Sequence, residues 1–349
     1  NGAEINHVYS NTIKGFSFKA NNDKILGKIL QNPNLLYVEP DYYVSTDSQT
    51  VSTGISRIGS TTNSIKSGDG QGSVDVDIAI IDTGIDLTHP DLNVYSQKSF
   101  ISGISTANDD NGHGTHVAGI AAAKDDSNGV VGVAPGARLW AIKVLDRYGS
   151  GSLSNVIAGI DYVASKSSYI EVANLSLSTS NSLSLNSSIQ KAVAKGITFV
   201  VAAGNNRMDA STVSPANSPD VIAVSAIVDT DGKCGGMGQS TPYGPDDTFA
   251  SFSNYGSVID IAAPGVAIYS TYKTGAYATM TGTSQASPHV AGAAAVIKSQ
   301  NSTLSPSQIK DILLSDGVKY GTACNGGSIG YFTGDPDSIQ EPFLNTSKY

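Results

Sequence analysis

The chain has 349 residues, 40% of them hydrophobic and 15% charged, which is enough apolar material for a large packed core and too much for a disordered chain. The length exceeds one average domain and suits one large α/β domain with a smaller companion. A net charge of −9 argues against a nucleic-acid partner, and the absence of an eighteen-residue apolar run argues against a membrane span.

No basic stretch followed by a short apolar core opens the sequence, so a secreted chain would have shed its signal before this start. His7 to Lys19 holds the first predicted strand, Gly15-Phe16-Ser17-Phe18, with its aromatics on one face. Asn22 and Asp23 are positioned to cap a short helix carrying Ile25, Leu26, Ile29 and Leu30, which Pro33 follows. Leu35 to Val44 reads as a second strand, interrupted by Glu39-Pro40-Asp41, and Ser45 to Thr50 as a polar, exposed linker. Residues 1–47 therefore form a small α+β unit ahead of a second domain, 48–349.

From Val74 the pattern alternates. Strands are expected at Val76–Ile81, Leu139–Leu145, Ile170–Leu177, Ile197–Ala203 and Val221–Ile227, with helices at 115–124, Leu153–Lys166 and Ser187–Lys195. Short, nearly all-apolar strands between helices predict a doubly wound, mostly parallel sheet, with the site beyond the carboxyl ends of its strands. Cys234 and Cys324 are too few for a disulfide scaffold and lack zinc-ligand spacing; one bridge and two free thiols both remain open.

The chemistry sits in four segments. Gly282-Thr283-Ser284-Gln285-Ala286-Ser287-Pro288-His289-Val290-Ala291-Gly292 predicts a buried helix opening out of a loop, with small or apolar residues continuing to Ile297. Ser284 then lies in the first turn, where unpaired N–H groups and the positive end of the helix dipole favour negative charge. A capping serine would satisfy the same pattern. The other three segments are Asp82-Thr83-Gly84-Ile85-Asp86, His113-Gly114-Thr115-His116-Val117-Ala118-Gly119 and Ala202-Ala203-Gly204-Asn205. Asp82 and Asn205 fall at strand ends and His113 and Ser284 at helix starts, so all four can face one edge of the sheet.

In that Asp, His, Ser order the motifs resemble the subtilisin-like serine proteases, the subtilases, over about residues 48–315. The resemblance implies an endopeptidase that works through an acyl-enzyme. Ser284 would be the nucleophile, His113 its base and Asp82 the group that orients the imidazole. Asn205 would donate to the oxyanion. Asp-Thr-Gly also marks aspartic proteases, but those need two such carboxylates and only one copy occurs. His113 and His116 are spaced as helix neighbours, yet no cysteine or second carboxylate nearby completes a metal site. The resemblance makes His116 structural, and His289 reads as a satisfied helix histidine.

Gly149-Ser150-Gly151 and Ser176-Leu177-Ser178 match the segments between which subtilases hold an extended peptide, with Ala203 and Gly204 beside them. Many subtilases have glycine where Ser178 stands, so the cleft is expected to be narrower there. Leu153 and Leu177 either line an apolar pocket for an upstream substrate residue or belong to the core. The loop Lys124-Asp125-Asp126-Ser127-Asn128-Gly129-Val130 resembles the strong calcium site of the family. Its implied ligands are the side chains of Gln49, Asp91 and Asp126 and the carbonyls of Lys124, Asn128 and Val130. A solvated acidic turn is the alternative.

Gly15-Phe16 followed by Val38-Glu39-Pro40-Asp41 resembles the inhibitory propeptide of subtilases, truncated by the loss of an earlier strand. The expected protein is thus a secreted, monomeric endopeptidase of polypeptides, a proform whose own residues 1–47 inhibit it until a cut between Ser45 and Gln49 releases them. Two rivals stand beside it: a catalytically silent binding protein, and a complex whose propeptide never leaves.

Overall fold

The computed structural model describes residues 3–20, 23–40 and 49–349, and the chain divides into two compact units, Asn1–Asp47 and Ser48–Tyr349. In the first unit, β1 (Ala3–Tyr9) pairs antiparallel with β2 (Gly15–Ala20), and α1 (Asp23–Leu30) follows. A strand therefore does precede the Gly15–Phe18 run, contrary to the sequence expectation. Leu35–Pro40 forms no strand: the Leu35 N–H donates to Asn32 O at 3.0 Å to close a turn, and no ladder partner stands alongside among the described residues. The predicted cap Asn22, the remainder of that strand at 41–44 and linker residues 45–48 lie outside the described residues.

The second unit begins with α2 (Thr53–Arg57), β3 (Asp77–Asp82), β4 (Val94–Ser99), α3 (His113–Ala122), β5 (Arg138–Lys143), α4 (Leu153–Ser165) and β6 (Val172–Leu175). It continues with β7 (Thr179–Ser180), α5 (Leu183–Val193), β8 (Thr198–Ala202), β9 (Val213–Ser214), β10 (Ile222–Val228), β11 (Thr248–Phe249) and β12 (Ile261–Pro264). The hairpin β13 (Ile268–Tyr272) and β14 (Ala276–Met280) leads into α6 (Thr283–Gln300), and α7 (Pro306–Asp316) closes the set.

The main sheet runs β11-β10-β8-β6-β3-β5-β4, with β12 also on β10, and only the β10–β11 pairing is antiparallel. The doubly wound reading follows from side-chain alternation. Along β3, Ile78 and Ile80 join an apolar cluster with Val117 and Ala121 of α3 and Val290 and Ala294 of α6. Ala79 and Ile81 join a second cluster with Ile160 of α4 and Ile189 of α5. Every residue of β3 is buried, as a central parallel strand with helices on both faces requires. The chain adds β5 and β4 on one side of β3, then β6, β8 and β10 on the other. The order reverses between β3 and β6, and a crevice at their carboxyl ends is the expected site.

Several boundaries differ from the sequence reading. α3 starts at His113, because Gly112 turns the chain with φ 111°, and stops at Ala122 because Ala123 leaves helical geometry. α5 starts at Leu183, four residues early, because the Ser182 hydroxyl accepts the Leu185 N–H at 3.3 Å and caps it.

Candidate active site

Asp82 is the last residue of β3 and His113 the first of α3. His113 Nδ1 lies 2.7 Å from Asp82 Oδ1, which also accepts the Thr83 N–H at 2.7 Å. A carboxylate facing Nδ1 makes that nitrogen the protonated one and leaves Nε2 as the basic edge. Burial alone would depress the imidazole pKa; the charge and hydrogen bond of Asp82, with Asp109 adding to them, outweigh it and raise the value above 6.5.

Asp109, which the sequence reading passed over, fastens the two elements. Its Oδ1 accepts from Thr83 Oγ1 (2.9 Å) and from the N–H groups of Asn111 (3.0 Å) and Gly112 (2.9 Å). Its Oδ2 accepts from the N–H and hydroxyl of Thr115 at 2.9 and 2.6 Å. Gly114 completes the junction, since a Cβ there would sit 2.1 Å from Gly84 O. Lys143, fully buried, donates to Thr83 O at 2.5 Å and to Asp110 Oδ1 at 2.8 Å.

Ser284 is the second residue of α6. Pro288, four residues on, has no N–H to give Ser284 O. That carbonyl accepts instead from Ser176 Oγ at 2.8 Å, and Asn174 links the strand end to the helix through Ser176 Oγ (3.0 Å) and Ser287 Oγ (2.6 Å). The irregular helix start is thus stitched to the end of β6. The Ser284 hydroxyl donates to Ser176 O at 3.2 Å.

Asn205 follows β8. Its Oδ1 accepts both the N–H and the hydroxyl of Thr283 at 2.9 Å, which fixes the amide orientation because an N–H can only donate. Nδ2 is left pointing the other way. The space where a side chain on Gly282 would begin lies 3.4 Å from Asn205 Nδ2 and 3.6 Å from the Ser284 N. Two nitrogens able to donate thus lie close to one point beside Gly282, which Gln285 Oε1 also approaches, at 3.1 Å. Ala203 is buried, and Gly204 N–H donates to Thr283 Oγ1 at 3.1 Å. Asn254, absent from the sequence reading, braces this loop by donating to Ala203 O at 2.8 Å and accepting from the N–H groups of Asn206 and Met208 at 3.0 and 3.1 Å.

A cleft of about 530 Å³ runs along this edge, lined by His113, Ser150, Gly151, Leu153, Ser176, Leu177 and Ser178. Leu153 is 40% exposed, and both leucines face the cleft, although Leu177 also packs on the core behind it. The Ser178 hydroxyl lies 3.7 Å from the position of a Cβ on Gly204. His116 and His289 stay out of the cleft. His116 Nε2 donates to Ile268 O and Ala278 O at 3.0 Å, and burial drops its pKa to about 4. His289 Nδ1 donates to Gln285 O at 2.9 Å, while its buried Nε2 finds no partner among the described residues, so it is only half satisfied.

At the opposite end of α3, Gln49 Nε2 lies 2.8, 3.3 and 3.3 Å from the carbonyls of Lys124, Asn128 and Val130. Two amide hydrogens cannot serve three carbonyls, and Gln49 Oε1 and Asp91 Oδ1 are buried without a partner among the described residues. Turning the Gln49 amide over adds its oxygen to the three carbonyls, an all-oxygen set of the kind calcium takes. Asp91 Oδ2 accepts the Val130 N–H at 2.8 Å, and burial raises its carboxyl to about 6. Asp126 is exposed and its Oδ1 accepts the Asn128 N–H at 3.1 Å, so it stands at the rim of this set. Asp125 points away, accepting the N–H groups of Gly68, Gly70 and Gly72 at 2.9, 2.9 and 3.2 Å.

Comparison with known proteins meets this geometry from outside. A model of the Subtilase family matches residues 73–329. The alkaline protease of Alkalihalobacillus alcalophilus is 41% identical over 293 residues, covering 83% of this chain and 71% of that protein. Subtilisin E of Bacillus subtilis is 40% identical over 306 residues, covering 86% and 75%. The crystal structure of a cold adapted subtilisin-like serine proteinase superposes with a TM-score of 0.68 at 32% identity, covering 84% of this chain and 97% of that one. The chain belongs to the subtilase family, has its doubly wound fold, and is a serine endopeptidase acting on polypeptides.

Proposed function

We propose that Ser284 carries the acyl group, that His113 and Asp82 activate it, and that the enzyme is a secreted proform that cuts itself. The observation that carries this reading is the approach of Asn205 Nδ2 and the Ser284 N to one point beside Gly282, at 3.4 and 3.6 Å. A substrate carbonyl oxygen placed there puts its carbon at the serine hydroxyl. Ser284 turns its hydroxyl from Ser176 O to His113 Nε2, gives up its proton and forms the C–O bond, while the oxyanion collects both donors. Imidazolium, stabilised by Asp82, returns the proton to the leaving amine; water then repeats the steps in reverse roles and frees the acid. The substrate backbone adds as a strand between residues 149–151 and 176–178. Leu153 and Leu177 favour an apolar side chain three residues before the one in the first specificity pocket.

Calcium bound by Gln49, Asp91, Asp126 and the carbonyls of Lys124, Asn128 and Val130 would supply the charge that ties the start of the second unit to this loop. A Cys234–Cys324 disulfide, which persists in oxidising compartments, favours secretion. Residues 1–47 act as the inhibitor, and the joining segment is cut between Ser45 and Gln49. Tethering holds that segment at about millimolar effective concentration, so a poor sequence is still cut. Amino-terminal sequencing after refolding with calcium tests this: wild type gives two termini and Ser284→Ala one. An uncut wild type, or the same cut in the alanine variant, contradicts the proposal.

A further inference from the structure

Beyond the carboxyl end of β10 a long loop gathers acidic residues before β11. Asp229, Asp231 and Asp246 each present a carboxylate oxygen within 4.8 Å of the others. Three carboxylates so close repel one another in water and more strongly where buried. Arg57 offers limited relief: its Nε is 2.8 Å from Asp247 Oδ1 and 3.9 Å from Asp229 Oδ1, and its other nitrogens donate to Ser328 O and Gly330 O at 2.7 and 3.0 Å.

The second observation is the state of Asp229. Its side chain is 0% exposed, its Oδ1 accepts the Gly232 N–H at 3.1 Å, and its Oδ2 is buried with no partner among the described residues. A buried carboxylate oxygen without a donor is costly unless something positive faces it or the group takes up a proton, toward which burial pushes Asp229 by raising its pKa to about 7. Asp246 is held in place from behind, with Oδ1 accepting the Thr230 N–H at 2.8 Å and Oδ2 the Gly238 N–H at 2.9 Å. Asp231 is exposed and its Oδ1 accepts the Lys233 N–H at 2.9 Å.

We propose that Asp229, Asp231 and Asp246 form a calcium site, separate from the set around Gln49 and Asp91. The donors are all hard oxygens, and calcium–oxygen bonds of about 2.4 Å place ligands across the ion about 4.8 Å apart. The ion satisfies Asp229 Oδ2, cancels the repulsion and clips the end of β10 to the residues just before β11. The disulfide from Cys234 to Cys324 anchors the same loop to the C-terminal segment, so ion and bridge hold it at two points.

The test uses the full chain carrying Ser284→Ala, which cannot digest itself, stripped with chelator and titrated with calcium chloride by calorimetry. Asp231→Asn and Asp229→Asn should each lose one equivalent of calcium, or bind it at least tenfold more weakly. Asp91→Asn should lose a different one, so that Asp231→Asn with Asp91→Asn loses both. If Asp231→Asn keeps every equivalent at unchanged affinity, the site does not exist. Asp231 is exposed, so this variant reports even if Asp229→Asn fails to fold.

Discussion

At Asn205 the amide oxygen is committed to Thr283, which leaves Nδ2 for the oxyanion role proposed above. Asn205→Ala should lower kcat with little change in KM, because the donor acts on charge that exists only in the transition state. Loss of the oxyanion asparagine in subtilisin itself costs about 10²–10³ in turnover, a measured value for that enzyme, and the same order is expected here. His113 must be neutral to accept a proton, and Asp82 holds its pKa above 6.5. The acid limb of kcat/KM should therefore have its midpoint above 6.5, and Asp82→Asn should move it down as well as lower the rate. A limb unmoved by that change would detach Asp82 from His113. Gln285 is buried, with Oε1 3.1 Å from the Cβ position of Gly282. Many subtilases carry methionine here, whose oxidation would place a polar sulfoxide in the oxyanion region. Peroxide should inactivate Gln285→Met faster than wild type, and equal rates would contradict this.

At the scale of elements, the junction of β3 with α3 rests on Asp109 more than on the helix's own cap, since Gly112 has no side chain to offer. Asp109→Ala removes five hydrogen bonds, four of them from buried residues, and should cost about 2–4 kcal/mol in urea unfolding. A cost below about 1 kcal/mol would show that water replaces them. Chelation should lower the melting temperature and speed self-digestion, because a ligand held only by the fold stabilises by mass action. Most of the helices and parallel strands of the second unit could be read from the sequence, because their apolar periods are local. α2, β4, β12, the β13–β14 hairpin and α7 are among those that escaped it: β4 alternates exposed and half-buried positions at the sheet edge, and the hairpin is anchored by carbonyls that His116 reaches across the fold. The residues proposed as nucleophile, base and orienting group lie in motifs that the sequence displays. Asn254 and Lys143 do not, since each acts on a loop some 50 or 60 positions away through a contact that only folding creates.

At the scale of the molecule, the C-terminal segment is a strap. The Ser64 N–H donates to Tyr349 O at 2.7 Å, Phe343 bridges Ala262 and Val318, and Cys324 reaches Cys234 across 90 residues. Closing a loop of that length is worth about 4–5 kcal/mol by chain entropy, so Cys324→Ser should be measurably less stable under oxidising conditions. Glu341 sits buried in this strap. Burial raises its carboxyl pKa above the ordinary 4.5; the Ser225 hydroxyl opposes that shift and Asp335 adds to it. The fold therefore holds a proton that the unfolded chain releases, and this contribution is full below 4.5 and lost as pH rises through the raised value. Glu341→Gln should flatten the fall of melting temperature with pH above 4.5, and a profile parallel to wild type would exclude this role.

All three scales meet in the claim that Ser284 is the nucleophile of an endopeptidase. The most direct measurement is mass-spectrometric mapping of the adduct left by a fluorophosphonate on the full chain folded with calcium. One adduct is expected, on Ser284, absent from Ser284→Ala and formed far more slowly in His113→Ala. An adduct on another residue, or none in a wild-type enzyme that still hydrolyses peptides, would contradict it.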